Sequence, residues 1–320
     1  MNILVTGGAG FIGSHLVEKL LERGDNVFVI DDLSTGSIKN IEHLKHNQKF
    51  HYVIDTIFNE AVLRELIDEC DLIFHLAAAV GVFLVIQDPV ATIERNVHGT
   101  ELVLKYANFK KKKVIFTSTS EIYGKSPKNI LKEDDDIVFG PTKNRRWSYA
   151  CSKAIDEFLA LAYFENQGLP IVIARIFNTV GPRQVGRYGM VVPRFIGSVL
   201  KNEPLLIFGD GKQTRCFCHV LDTVRALIGL ADSRDTQGEI FNIGNPQEIS
   251  IINLAERIKS AAKSTSGLKF IPYDEAYEEG FEDMKRRVPD ISKIKKYINF
   301  TPTLNLDTII SDIIKWFNPQ

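Results

Sequence analysis

Cysteine is scarce in this chain: Cys70, Cys151, Cys216 and Cys218 are the four among 320 residues. That is too few for a disulfide-stapled scaffold and suits a reducing compartment. Cys216-Phe-Cys218 lacks the spacing of a zinc pair and has no matching His/Cys pair elsewhere, so no metal site is expected. No apolar run reaches the roughly 18 residues of a membrane span. Charge of one sign is lacking too. Lys and Arg number 39 against 40 for Asp and Glu, a formal net charge of -1, which gives no field for nucleic acid or an anionic membrane. The run Lys110–Lys113 reads as a solvated loop before the strand Val114-Ile-Phe116. There is no internal repeat or low-complexity segment. Met1 leads straight into a strand, so no signal peptide is expected and the chain reads as soluble and cytoplasmic.

What is present is alternation. Ile3-Leu-Val5 is a short apolar run, and Ile12, Leu16 and Leu20 repeat at helical spacing before Gly24 stops the helix. Strand signals recur at Val27–Ile30, Phe50–Ile54, Leu72–Leu76, Val114–Thr117 and Ile171–Arg175. Helix signals at Glu60–Glu69, Thr92–Phe109 and Tyr149–Asn166 separate the later ones. This order predicts an α/β fold, a Rossmann-type doubly wound parallel sheet. After Arg175, prolines and glycines break the rhythm, which predicts a smaller mixed α/β substrate-binding domain. The expected division is 1–178 and 179–320, with segments near 216–244, notably Phe241-Asn-Ile243, returning to the sheet.

The first strand runs into Thr6-Gly-Gly-Ala-Gly-Phe-Ile-Gly13, which contains Gly8-x-Gly10-x-x-Gly13 and Gly7-x-x-Gly10-x-x-Gly13. Glycines there let a pyrophosphate approach the backbone, and the helix opening at Phe11 and Ile12 offers unpaired N–H groups to it. A lone glycine triplet is weak evidence, but this one joins a strand to a helix. Eighteen residues past Gly13, a strand ends in Asp31-Asp32. A carboxylate at that place accepts from ribose hydroxyls and repels a 2′-phosphate, which favours NAD over NADP. Asp55, after the third strand, is a candidate for the adenine amino group, and an exposed turn carboxylate is an equal reading.

Tyr149 and Lys153 stand one helical turn apart, so they share a face. An ammonium and a bound nicotinamide cation would both favour the phenolate and make Tyr149 a general base. A helix-surface pair is the plain alternative, outweighed by the dinucleotide motif upstream. Thr117-Ser-Thr-Ser-Glu-Ile-Tyr-Gly124 follows a strand, and hydroxyls at the carboxyl end of a parallel strand face the ligand crevice. Thr119 and Glu121 are the candidates there.

These motifs together resemble the extended short-chain dehydrogenase/reductase family, in its nucleotide-sugar branch. The resemblance runs through His75-Leu-Ala-Ala78, Asn96, Arg175–Arg183, Gly209–Arg215, Phe241–Gly244 and Arg287-Val-Pro-Asp290. It implies NAD as cofactor, with Leu76, Ala77, Ala78 and Asn96 among its contacts. It implies Thr119 and Tyr149 as a proton relay and Lys153 on the nicotinamide ribose. It also implies Ser120 beside the sugar and Asn178, Arg215 and Arg287 around a nucleoside diphosphate. Two guanidiniums suit a dianionic pyrophosphate. Phe208, ending the apolar run Leu205-Leu-Ile207, is the candidate for the base.

Within that branch, 4-epimerases usually carry a small or apolar residue where Glu121 stands. The 4,6-dehydratases carry Asp-Glu in place of Ser120-Glu121. UDP-glucuronate decarboxylases read Thr-Ser-Glu-(Val/Ile)-Tyr-Gly, as this chain does. Pro141–Tyr149, Lys212–Phe217 and Gly280–Pro289 also resemble the decarboxylases, and Arg287 matches an arginine implicated in their catalysis. The expectation is therefore a UDP-glucuronate decarboxylase acting through a 4-keto sugar. A UDP-hexose or UDP-uronate 4-epimerase is the alternative, with a dehydratase or a non-catalytic NAD sensor behind it. Arg145, Arg146, Arg183 and Arg187 are candidate partners for the sugar carboxylate. Relatives pair two helices into a four-helix homodimer, and Val97, Leu102, Leu104, Phe158, Leu161 and Ala162 are the expected apolar stripes, with an intramolecular core as the other reading.

Overall fold

In the computed structural model, the described residues are 1–80, 88–186, 190–272, 275 and 286–318. Ile3, Leu4 and Val5 are all fully buried, as an apolar strand covered on both faces must be. They belong to β1 (Asn2–Thr6), followed by β2 (Asn26–Asp31), β3 (Phe50–Ile54), β4 (Leu72–His75), β5 (Lys113–Thr119) and β6 (Ile171–Ile176). With the edge strand Glu239–Ile243 these make a seven-stranded sheet ordered edge strand, β6, β5, β4, β1, β2, β3. Every neighbouring pair in it is parallel. The segment expected to return to the sheet pairs Phe241 with Ala174.

Strand side chains alternate between two cores. Ile3, Val5, Val29 and Phe74 pack with helices Phe11–Arg23 and Val220–Asp232 on one face. Leu4, Ile30, Ile73 and Phe116 pack with helices Glu60–Glu69, Pro89–Phe109 and Trp147–Gln167 on the other. A third core holds Phe195, Ile207, Leu254 and Ile310, from the later helices and short strands. The strand order reverses at β1, where the chain turns to β2 on one side and β4 on the other, so a crevice opens at the carboxyl ends.

Two sequence expectations change here. Lys113 is no loop residue: it opens β5, and its Nζ donates to the carbonyls of Ala231 at 2.7 Å and Ser233 at 2.6 Å, capping a helix C-terminus. Leu102 and Leu104, on opposite sides of their helix, are both buried with 3 % and 0 % exposure, because the helix packs against helix Trp147–Gln167 as well as β5. The large apolar side chains exposed on these two helices are Val90, Ile93 and Phe109, and Ile155 and Phe158, and the smaller Ala162 is exposed beside them. Among the described residues, no helix is long and apolar enough to cross a membrane.

Helix Trp147–Gln167 is anchored to β6 by a buried ion pair. Glu157 takes Arg175 Nε at 3.1 Å on one oxygen and Nη2 at 2.8 Å on the other. Arg175 Nη1 reaches Tyr123 at 3.0 Å and the Glu133 carbonyl at 2.8 Å. Tyr123 then donates to Asn242 at 2.7 Å on the edge strand. Removing one partner of such a pair strands a charge in the interior. Glu157→Gln is expected to lower unfolding free energy by about 3 kcal/mol, measured by urea denaturation, with loss of the near-ultraviolet signal at lower urea.

Candidate active site

The carboxyl ends of six sheet strands, β1 to β6, open into one cleft of about 870 Å³. Its first wall is the glycine turn. Gly7 sits at φ +74°, and a Cβ on Gly13 would stand 2.1 Å from the Gly7 carbonyl oxygen, so helix and turn meet with no room for a side chain. The helix that follows has no side-chain cap and no acidic residue in its first turn. Its N–H groups and positive dipole end are therefore available to an anion. These features fit a pyrophosphate. Asp31 ends β2 with its carboxylate accepting from Ala9 N–H at 2.9 Å and Leu33 N–H at 2.8 Å. Burial raises its pKa, and those N–H groups act against the rise. Asp31 thus also fixes the turn itself, a role that spacing alone did not suggest.

Gly7, Gly10, Phe11, Ile12, Gly13, Asp31, Asp32, Asp55, Leu76, Ala77 and Ala78 all line the cleft, as do Thr119, Ser120, Glu121, Tyr149, Asn178, Phe208, Arg215 and Arg287. Asn96, Lys153 and Arg183 do not line it. Asn96 instead holds the loop after β4, accepting from Ala79 N–H at 2.8 Å and donating to Ser152 at 3.2 Å. Arg183 reaches back to Glu18 at 2.5 Å and lies 5.9 Å from the Trp316 ring, which ties two surface elements together. Arg187 falls outside the described residues. Asp55 uses its carboxylate locally, accepting from Thr56 N–H and from Asn59.

Thr119, at the end of β5, hydrogen-bonds Tyr149. Burial raises the Tyr149 pKa, the Glu121 charge raises it further, and the Thr119 bond works the other way. The phenol therefore keeps its proton at neutral pH until cationic charge arrives beside it. Lys153 is turned inward, its Nζ 3.3 Å from Asp156 and 4.0 Å from the centre of the Phe116 ring.

Glu121 sits on the turn Ser120–Tyr123, beyond Thr119. One carboxylate oxygen pairs with Arg287 and the other accepts from Arg146 at 3.1 Å. Burial would push its pKa up, but Arg287, Arg146 and Arg215 outweigh that and bring it down to about 2. Arg287, expected at the diphosphate, is thus engaged with Glu121. Glu121 itself is an anion throughout the neutral range and not a proton donor in its own right. The sequence reading missed Arg194 and Gln213. Arg194 covers the Phe208 ring at 4.1 Å, and Gln213 donates to the Phe208 carbonyl at 3.0 Å, both lining the cleft. Gln213 lay inside a quoted motif, whereas Arg194 sits in an apolar helix with no local mark of function.

Fold and cleft together define a dinucleotide-binding enzyme of the short-chain dehydrogenase/reductase class. The family model described as GDP-mannose 4,6 dehydratase matches residues 4–313, and the chain belongs to this family, within the extended nucleotide-sugar branch. It is 42% identical over 315 residues to the UDP-N-acetyl-alpha-D-glucosaminuronate decarboxylase of Bacillus cytotoxicus, covering 98% of this chain and 97% of the relative. It is 38% identical to UDP-glucuronic acid decarboxylase 1 of Arabidopsis thaliana, covering 96% of this chain and 67% of that one. The UDP-glucuronic acid 4-epimerase of Bacillus cereus, solved with UDP-glucuronic acid and NAD, superposes with a TM-score of 0.88 at 30% identity, over 99% and 98% of the two chains.

The Glu121 cluster carries a pH signature. A folded-state pKa of about 2, below an ordinary 4.5, stabilises the fold above about pH 4.5 and loses that effect as pH falls towards 2. Glu121→Gln is expected to cost on the order of 2 kcal/mol at pH 7. The gap to the unaltered chain should narrow below about pH 4.5, read by denaturant titrations across that range.

Proposed function

We propose that the chain is a NAD-dependent UDP-hexuronate decarboxylase acting through a 4-keto sugar. The observation that carries this reading is Glu121, ionised between Arg287 and Arg146, directly beyond the Thr119–Tyr149 couple. When bound, NAD supplies the acceptor that oxidises the C4 carbinol. The glycine turn and Asp31 suit its pyrophosphate and adenosine ribose.

In this reading Tyr149 takes the C4 hydroxyl proton, with Thr119 holding the same hydroxyl. The 4-ketone makes the sugar carboxylate a β-keto acid, which loses CO2 and leaves an enolate at C4–C5. Glu121, as an anion, orients the water that reprotonates C5, while Arg287 and Arg146 balance the changing charge. Arg215, with Phe208 and Arg194, suits the diphosphate and the base. Glucuronate and N-acetylglucosaminuronate, the sugars named for the relatives, differ at C2, away from the reacting C4, C5 and carboxylate. A 4-epimerase would turn the ketone in place and reduce it from the other face, with no work for Glu121.

The reading includes a homodimer through the two helices that expose Ile93, Ile155 and Phe158, whose apolar area otherwise stays in water. Four cysteines without a disulfide suit a reducing, cytoplasmic setting.

Purified protein incubated with NAD and UDP-glucuronate, or UDP-N-acetylglucosaminuronate, is expected to release CO2 and give a product lighter by CO2 alone where the hydride returns to C4, or by CO2 and two hydrogens where the 4-keto pentose is released. A product of unchanged mass with inverted C4 would replace this reading with epimerisation. Tyr149→Phe should lower kcat by roughly 100-fold or more with little change in KM.

A further inference from the structure

Lys153 and Asp156 form a pair that the chemistry above leaves unused. Both side chains are essentially out of water, at 2 % and 0 % exposure, and Nζ lies 3.3 Å from an Asp156 oxygen. They stand three residues apart on helix Trp147–Gln167, so two successive turns carry Tyr149 and both of them on one face.

A line of buried polar groups leads to Asp156 from the cofactor side. Ala77 N–H, on the cleft wall, donates to Thr6 Oγ1 at 3.2 Å. The same Thr6 hydroxyl hydrogen-bonds His75 Nδ1 at 2.8 Å. The other ring nitrogen, Nε2, lies 3.3 Å from Thr100 Oγ1. Thr100 borders the Asp156 carboxylate, whose two buried oxygens carry no directed hydrogen bond, so the close charge of Lys153 at 3.3 Å is what compensates it. Burial, reinforced by the Lys153 charge, holds His75 neutral with a pKa of about 3, so the line carries no second cation to compete for Asp156.

We infer that Asp156 is the positioning residue that keeps Lys153 charged and in place for turnover, as its buried counter-charge one helical turn away. The physical need is plain. Lys153 rests on the Phe116 ring in a dry site, and burial pulls its pKa down, with Asp156 and then Glu157 opposing. Glu157 is committed to Arg175, which leaves Asp156 as the close counter-charge. The other ionisable neighbours are His75, which the Lys153 charge helps hold neutral, and Tyr149, which feels the Asp156 charge. Neutralise Asp156, and Lys153 sheds its proton at a lower pH. Tyr149 then loses the ammonium that favours its phenolate. This role rests on the Tyr149–Lys153 reading of catalysis, while the pairing itself can be measured without turnover.

The test is a carbon-13 titration of the lysine Cε resonances in the intact chain, with Lys153 assigned by Lys153→Met, beside kcat against pH. In the unaltered chain, Lys153 is expected to be charged at neutral pH, and a neutral Lys153 there would overturn the inference without any need for a variant. In Asp156→Asn, the midpoint should fall by at least about one unit. The alkaline limb of kcat should move with it, giving about tenfold less turnover just above the new midpoint and little change in KM. An unmoved midpoint, or an equal loss of kcat at every pH, would overturn the inference. A moved midpoint with unmoved kcat would refute the role of Lys153 in turnover, and that of Asp156 with it.

Discussion

Charge taken out of water governs this protein. One helix, Trp147–Gln167, carries Tyr149, Lys153, Asp156 and Glu157 into the space behind β5 and β6, where burial penalises every ionised form. Each charge there has an opposite close at hand: Lys153 with Asp156, and Glu157 with Arg175. Glu121 repeats the pattern at the cleft, with two guanidiniums on one carboxylate. The apolar sheet that makes the fold stable is also the medium that makes these pairs necessary.

The same constraint separates two kinds of site. At the glycine turn the work is steric, because Gly13 packs against the Gly7 carbonyl so closely that a Cβ is excluded. At the sugar end the work is electrostatic. Arg146, Arg215 and Arg287 surround Glu121 and leave the region with net positive charge, which suits a diphosphate and a uronate in one ligand. Tyr149 lies at the junction, its proton held by burial and by Glu121, its hydroxyl beside Thr119. A cation on the cofactor side is what shifts that balance towards the phenolate.

Local pattern and long-range placement divide in the sequence along physical lines. The strands and helices of the sheet were legible because period-2 and period-3.6 apolar patterns follow from burial alone. The glycine turn, Asp31 and the Tyr149–Lys153 spacing were legible because each acts within one strand, turn or helix. Leu102 and Leu104 were read onto an interface because a helix buried on two sides has more than one apolar stripe. Asn96 and Arg183 were read as ligands, yet their contacts run to Ala79 and to Glu18, residues that no spacing rule connects to them.

By itself, then, the sequence determined the α/β order and the dinucleotide turn and marked the candidate reacting side chains, since these depend on neighbours a few residues away. Only the tertiary structure decided how the charges pair. Arg287 meets Glu121 across 166 positions, and His75 joins Thr6 to Thr100 through a buried ring. In a dry interior the protonation of a group is set by whatever the fold brings within a few ångströms, and chain order does not record those distances.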